Sequence, residues 1–140
     1  MGLVEPALVL TPPDQGTEQD DGLLTASEVA QLKLDADWVI LSACNTAAGD
    51  KPGAKGLSGL AKAFFYAGAR ALLVSHWPVA SEATTDLTTG MFETIRNNPT
   101  VGRAEALRRS MMEIASHRKT AHPIFWSPFV IVGEGGVRRP

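Results

Sequence analysis

The chain has 140 residues, enough for one domain, and its 44% hydrophobic and 20% charged residues match an ordinary globular protein, so disorder is expected only at the ends and in one or two loops. The net charge of −2, with no run of lysines and arginines, argues against nucleic acid and against an anionic membrane as partners. No apolar stretch approaches the roughly 20 residues of a membrane helix. Leu3 to Leu10 is too short for a signal peptide and lacks a basic lead-in, and Pro6 spoils Met1-Gly2 as a myristoylation signal, so a cytoplasmic location is expected. Cys44 is the only cysteine, which excludes an intrachain disulfide and a multi-cysteine zinc site; no metal and no cofactor is expected.

In chain order, Pro6 to Leu10 reads as a short strand, and the polar, acidic stretch from Thr11 to Gly22 as a mobile loop. Thr25 is placed to cap a short helix from Ala26 to about Leu32, with Glu28 three residues on completing a capping box. The run Trp38-Val39-Ile40-Leu41 has no polar alternation, the pattern of a strand covered on both faces; it is expected to end around Ala43. A glycine-containing loop from Asn45 to Gly56 follows. Ser58 then opens a helix whose Leu57, Leu60, Ala61, Phe64 and Ala67 recur at three- and four-residue spacings, and Gly68 stops it.

Ala71 to Ser75 is a second continuous apolar run, so strand, loop, helix and strand form a βαβ unit with two parallel strands. Ser81 is read as the cap of the next helix, with a stripe of Leu87, Met91 and Ile95, ended by Asn97, Asn98 and Pro99. A helix from about Gly102 to Ser116 carries Ala104, Leu107, Met111 and Ala115 on one side, with Arg103, Arg108 and Arg109 elsewhere. Phe129 to Val132 is a last strand, ended by Gly133. The alternation gives a layered α/β domain, with 1–22 as a peripheral strand and mobile loop, 23–135 as the core and 136–140 as a tail. Sites in such folds form outside the carboxyl ends of strands, which points to the loops Ser42 to Gly56 and Ser75 to Ser81.

Cys44 stands where a buried strand gives way to the first of these loops. Backbone N–H groups there would favour a thiolate and could hold an oxyanion, although a free cysteine also commonly serves as a small buried hydrophobe. A cysteine nucleophile needs a base. Of the three histidines, His76 ends the strand expected beside that of Cys44; His117 ends a covering helix, and His122, before Pro123, orders a turn. Trp77, followed by Pro78, is either a wall of a substrate groove or a ring closing the core edge. Glu82 and Asp86, one helical turn apart, could select a basic side chain or simply favour the amino end of a helix dipole.

The segment W-V-I-L-S-A-C-N-T-A-A from Trp38 to Ala48 resembles the nucleophile strand of CHAT domains, a caspase-like cysteine peptidase family. G-L-S-G-L-A-K-A-F-F-Y-A-G-A-R-A-L-L-V-S-H-W-P, from Gly56 to Pro78, is similar to the helix and strand that follow. The likeness runs on through Ala106-Leu107 and His122-Pro123 to Trp126, Phe129 and Gly133; Asp21 to Glu28 resembles the family's connector.

The resemblance implies a caspase-like layered α/β/α sandwich with a mainly parallel sheet, and a peptidase that cleaves a protein or peptide substrate. Cys44 would be the nucleophile, and the loop Ser75, His76, Trp77, Pro78 and Val79 would line the substrate groove. It also implies that His76 is a common residue of that loop and not the base, and that a tetratricopeptide region is attached or associated. In active members the base is a histidine in an Ala-Thr-His-Gly-like motif on a preceding strand, and that motif does not occur in these 140 residues.

The sheet is therefore expected to be incomplete at its N-terminal side, with the Trp38 to Leu41 strand as an apolar edge. The chain itself is expected to be a fragment, or a reading frame begun late, of a longer bacterial protein, with little peptidase activity alone. The alternatives are a catalytically inactive interaction or scaffold module in a bacterial signalling or defence assembly, and a rewired Cys44–His76 pair.

Overall fold

The computed structural model describes residues 5–17, 21–41 and 59–137. Two continuous apolar runs become neighbouring strands, β3 (Val39–Ile40) and β4 (Ala71–Ser75), paired in parallel with Val39 opposite Leu72 and Ile40 opposite Leu73. The Leu41 N–H extends the ladder to the Leu73 carbonyl at 2.9 Å. β5 (Phe129–Gly133) lies on the other side of β4 and runs antiparallel to it, from Ala71 opposite Gly133 to Ser75 opposite Phe129. Among the described residues the sheet order is β3-β4-β5, with β3 at an edge. The expected parallel geometry holds for the β3–β4 pair, and β5 makes the described sheet mixed.

Burial on both faces is why β4 reads as uninterrupted Ala-Leu-Leu-Val: all five of its residues are buried. Alternation sends Leu72 and Val74 to one face and Leu73 to the other. On the first face they meet Val29 of α1 (Ala26–Gln31) and Leu60, Ala61 and Phe64 of α2 (Gly59–Tyr66). On the second, Leu73 and Phe129 meet Leu87 and Met91 of α3 (Ser81–Asn97) and Leu107 and Ile114 of α4 (Arg103–Ser116). The result is the α/β fold in three layers. Fully burying a leucine such as Leu72 or Leu73 stabilises by about 1.5–3 kcal/mol, so β4 is the most costly element to disturb.

Local signals act as expected at several ends. The Thr25 hydroxyl accepts from the Glu28 N–H, and the Glu28 carboxylate accepts from the Thr25 N–H at 2.8 Å, which is the full capping box. Gly68 ends α2 with φ of 99°.

Three readings are corrected and one element is added. The addition is β2: Leu23–Thr25, just past the stretch read as loop, pair antiparallel with β1 (Ala7–Val9) in a separate two-stranded sheet. Ser81 is not a cap but the first residue of α3; Ala80 holds the N-cap position and no side chain bonds there. The buried side of α4 is Arg103, Ala106, Leu107, Ser110 and Ile114, whereas Ala104 is exposed. That stripe has helical spacing too, but two polar members shift its centre away from where hydrophobicity alone puts it. Arg103, read as lying away from the core side, is only 8% exposed at its side chain.

Arg103 and its partners close the rim where β3 and β4 begin. Its guanidinium donates to the Glu134 carbonyl at 3.1 Å and lies 3.8 Å from Asp37, which also lies 3.8 Å from Arg70; Arg70 in turn lies 3.9 Å from Asp35. Ser110 donates to the Leu87 carbonyl at 2.7 Å where α3 and α4 cross at Gly90.

Candidate functional site

The parallel pairing fixes which groups share the opposite rim. β3 and β4 end side by side, at Leu41 and Ser75, and β5 begins there at Phe129. Cys44, three residues past Leu41, lies outside the described residues, as do Ser42 and the loop through Ser58. Ser75 is buried, 3% exposed, and closes the end of β4. His76, Trp77 and Pro78 are exposed, and Val79 is half-buried against the α3–α4 core. The exposed part of this candidate groove wall is therefore His76 to Pro78.

Backbone and side-chain bonds hold that wall in place. The His76 N–H donates to the Pro128 carbonyl at 3.1 Å. The Trp77 indole N–H donates to the Ile124 carbonyl at 3.2 Å, so the ring is fastened across the rim rather than folded into the core. Ile124 is central to a 3₁₀ turn, Pro123–Phe125, and its N–H donates to His122 Nδ1 at 3.2 Å. His122 thus orders a turn, as read from the sequence, with Pro123 at its first position. The Trp126 indole N–H closes the segment on the Ala121 carbonyl at 3.3 Å. The role of Ile124 escaped the sequence reading; the one available signal was the His-Pro pair, which marks a turn but does not say what faces it.

The remaining candidates lie apart from this wall. His117 follows α4, its imidazole 3.2 Å from Glu113 one turn back. Glu82 and Asp86 line a cleft of about 500 Å³ together with Arg118, Lys119 and Phe125. That cleft carries both signs of charge, so the two acids do not form an isolated negative patch. No cluster of three or more His, Cys, Asp or Glu side chains able to hold a metal ion occurs among the described residues. Among them, too, no helix is long and apolar enough to cross a membrane.

A family model, the CHAT domain, matches residues 3–134. The chain belongs to the CHAT domain family. It is thus a caspase-like, protease-related module with a mixed α/β fold. Tetratricopeptide repeat protein 28 of Mus musculus is 32% identical over 111 residues, which cover 79% of this chain. The protein of the same name in Homo sapiens matches to the same extent. The chain spans about 4% of the length of these relatives. No solved structure gives a significant match.

Proposed function

We propose that this CHAT domain is the nucleophile-bearing part of a caspase-like cysteine endopeptidase, with Cys44 as nucleophile and the loop Ser75 to Val79 as one wall of the substrate groove. The observation that carries the reading is the parallel β3–β4 pair, whose ends share one rim. Cys44 follows Leu41 by three residues, so the chain cannot carry it more than about 11 Å from that end of β3. The exposed wall leaves the neighbouring end of β4. Strand ends that converge in this way are where α/β folds build their sites.

In the proposed reaction the Cys44 thiolate attacks the scissile carbonyl carbon and the oxygen takes up the negative charge. A histidine returns the thiol proton to the leaving amine, and water then hydrolyses the thioester, restoring the thiol. We assign that histidine to a segment preceding the 140 residues, since the family's Ala-Thr-His-Gly-like motif is not within them. The name of the relatives supports a further part of the proposal: a tetratricopeptide region attached to, or associated with, the CHAT domain.

The test is cleavage by the full-length protein. Wild type is expected to cut a protein partner and Cys44→Ala to lose at least about a thousandfold in rate, as expected when the nucleophile is removed. Equal cleavage by the two proteins rejects Cys44 as nucleophile. Binding of the partner without any cleavage by wild type points to a scaffold instead.

A further inference from the structure

The turn that carries Ile124 is held by an imidazole. His122 occupies the N-cap position of Pro123–Phe125 with extended backbone, φ −67° and ψ 133°. Pro123 favours that conformation in the residue before it and has no N–H of its own. The first N–H the turn offers is therefore that of Ile124, and His122 Nδ1 accepts it at 3.2 Å. The usual residues at such a position are serine, threonine, asparagine and aspartate, whose oxygens remain acceptors at neutral and mildly acidic pH. A histidine nitrogen accepts only while it is unprotonated; the proton it takes up turns it into a donor. His122 is exposed, so solvent supplies that proton directly.

His122 holds the peptide units on both sides of Ile124. Its imidazole takes the Ile124 N–H, and its carbonyl takes the Phe125 N–H at 3.1 Å, in the same peptide unit whose carbonyl receives the Trp77 indole N–H. Protonation leaves the second bond and destroys the first, because two donors then face each other at Ile124. The titratable and charged groups on the elements around the turn are His76 beside Trp77, Glu82 and Asp86 on α3, and His117, Arg118 and Lys119 just past α4; the last five line one cleft with Phe125. Among the described residues His117 is paired with Glu113, and no carboxylate lies within ion-pair range of His122 to take over the ring once it is charged.

We propose that His122 is a proton-operated catch on the rim. Neutral, it holds the Ile124 turn that anchors the Trp77 indole; protonated, it lets the turn and the indole loosen. The catch is closed at the upper end of the range of about pH 5 to 8 in which histidine changes charge, and opens as pH falls through that range. It adds a control to the rim and does not depend on peptidase activity, so it stands or falls separately from that reading.

Hydrogen exchange of the full-length protein tests this, read by mass spectrometry on the peptide covering Ala121 to Ser127 and corrected for the intrinsic pH dependence of exchange. Between about pH 8 and about pH 5 the wild-type protection is expected to fall about three- to tenfold, the worth of one hydrogen bond. With 5-fluorotryptophan in place of tryptophan, the fluorine resonance assigned to Trp77 by its loss in Trp77→Phe should shift over the same range. His122→Asn keeps an acceptor that does not titrate, so neither its protection nor its Trp77 resonance should respond to pH. His122→Ala should show the low protection at both pH values.

Wild-type protection that does not change with pH, or a drop that persists in His122→Asn, overturns the catch. So does a Trp77 resonance that stays fixed while the turn loosens. If His122→Asn fails to fold, His76→Gln and His117→Gln take its place: a wild-type response in both upholds His122 as the titrating group, and loss of the response in either overturns it.

Discussion

The two rims of the same sheet are built on opposite principles. Where β3 and β4 begin, Asp35, Asp37, Arg70, Arg103 and the Glu134 carbonyl join in one network, and Arg103 is nearly removed from solvent. Where the two strands end, the exposed side chains include His76, Trp77, Pro78 and Ile124, and the hydrogen bonds there come from backbone and indole groups that fix surface side chains without burying them. The first rim spends its polar groups on holding α4, β3, β4 and β5 together. The second leaves the side chains of Trp77 and Ile124 partly in solvent.

Substitutions should separate the two rims, most sharply at Gly133. Its φ is 94°, and a Cβ there would stand 2.5 Å from the Arg70 carbonyl oxygen and 3.1 Å from the Phe65 ring. Gly133→Ala is expected to cost about 3 kcal/mol in urea denaturation, from left-handed backbone strain and from steric overlap with main chain that cannot move freely. Arg103→Ala should cost about 2–3 kcal/mol by the same measurement, because it removes a nearly buried side chain, takes the guanidinium donor from the Glu134 carbonyl and weakens the charge network at Asp37, which keeps Arg70. At the other rim, Ile124→Ser should change stability by no more than about 0.5 kcal/mol. If Ile124→Ser destabilised as much as Arg103→Ala, the second rim would be structural and the contrast would collapse.

Thr25→Ala sharpens the comparison from a third place, distant from both rims. Loss of the capping box is expected to cost about 1 kcal/mol and to raise hydrogen exchange in α1 alone. The smallest effect belongs to Glu105. Side-chain hydrogen bonds from Arg108 and Arg109 hold its carboxyl down to about 2. Its folded value lies below its unfolded one, so its contribution is fully present above the ordinary carboxylate range and is lost as pH falls from there through about 2. The group is exposed, so the loss should be slight and should fade with added salt; an NMR titration of Glu105 with a midpoint above 4 would contradict the pairing.

Much of the fold was legible because its signals are local and apolar. The runs Trp38 to Leu41 and Ala71 to Ser75, the glycine stop at Gly68 and the Thr25–Glu28 box each depend on neighbours within a few residues. What stayed hidden depends on partners far along the chain. Arg103 and Ser110 are buried because Glu134, Asp37 and Leu87 meet them, and hydrophobic periodicity is blind to that compensation. β2 is three residues long and exists by pairing with β1, so Leu23-Leu24-Thr25 carries no period of its own. The rim that the proposed site would occupy was legible from the strand ends. Ile124 was not, since an isoleucine before an aromatic reads as core until its exposure is seen.

Covalent labelling is the sharpest test of Cys44 as the nucleophile of a groove walled by the loop Ser75 to Val79. The full-length protein would be treated with a peptidyl chloromethyl ketone ending in leucine and the adduct mapped by mass spectrometry. One adduct is expected, on Cys44, with loss of cleavage in step with its formation. Cleavage that continues at full rate after complete alkylation of Cys44, or an adduct that forms elsewhere and blocks it, would contradict the claim.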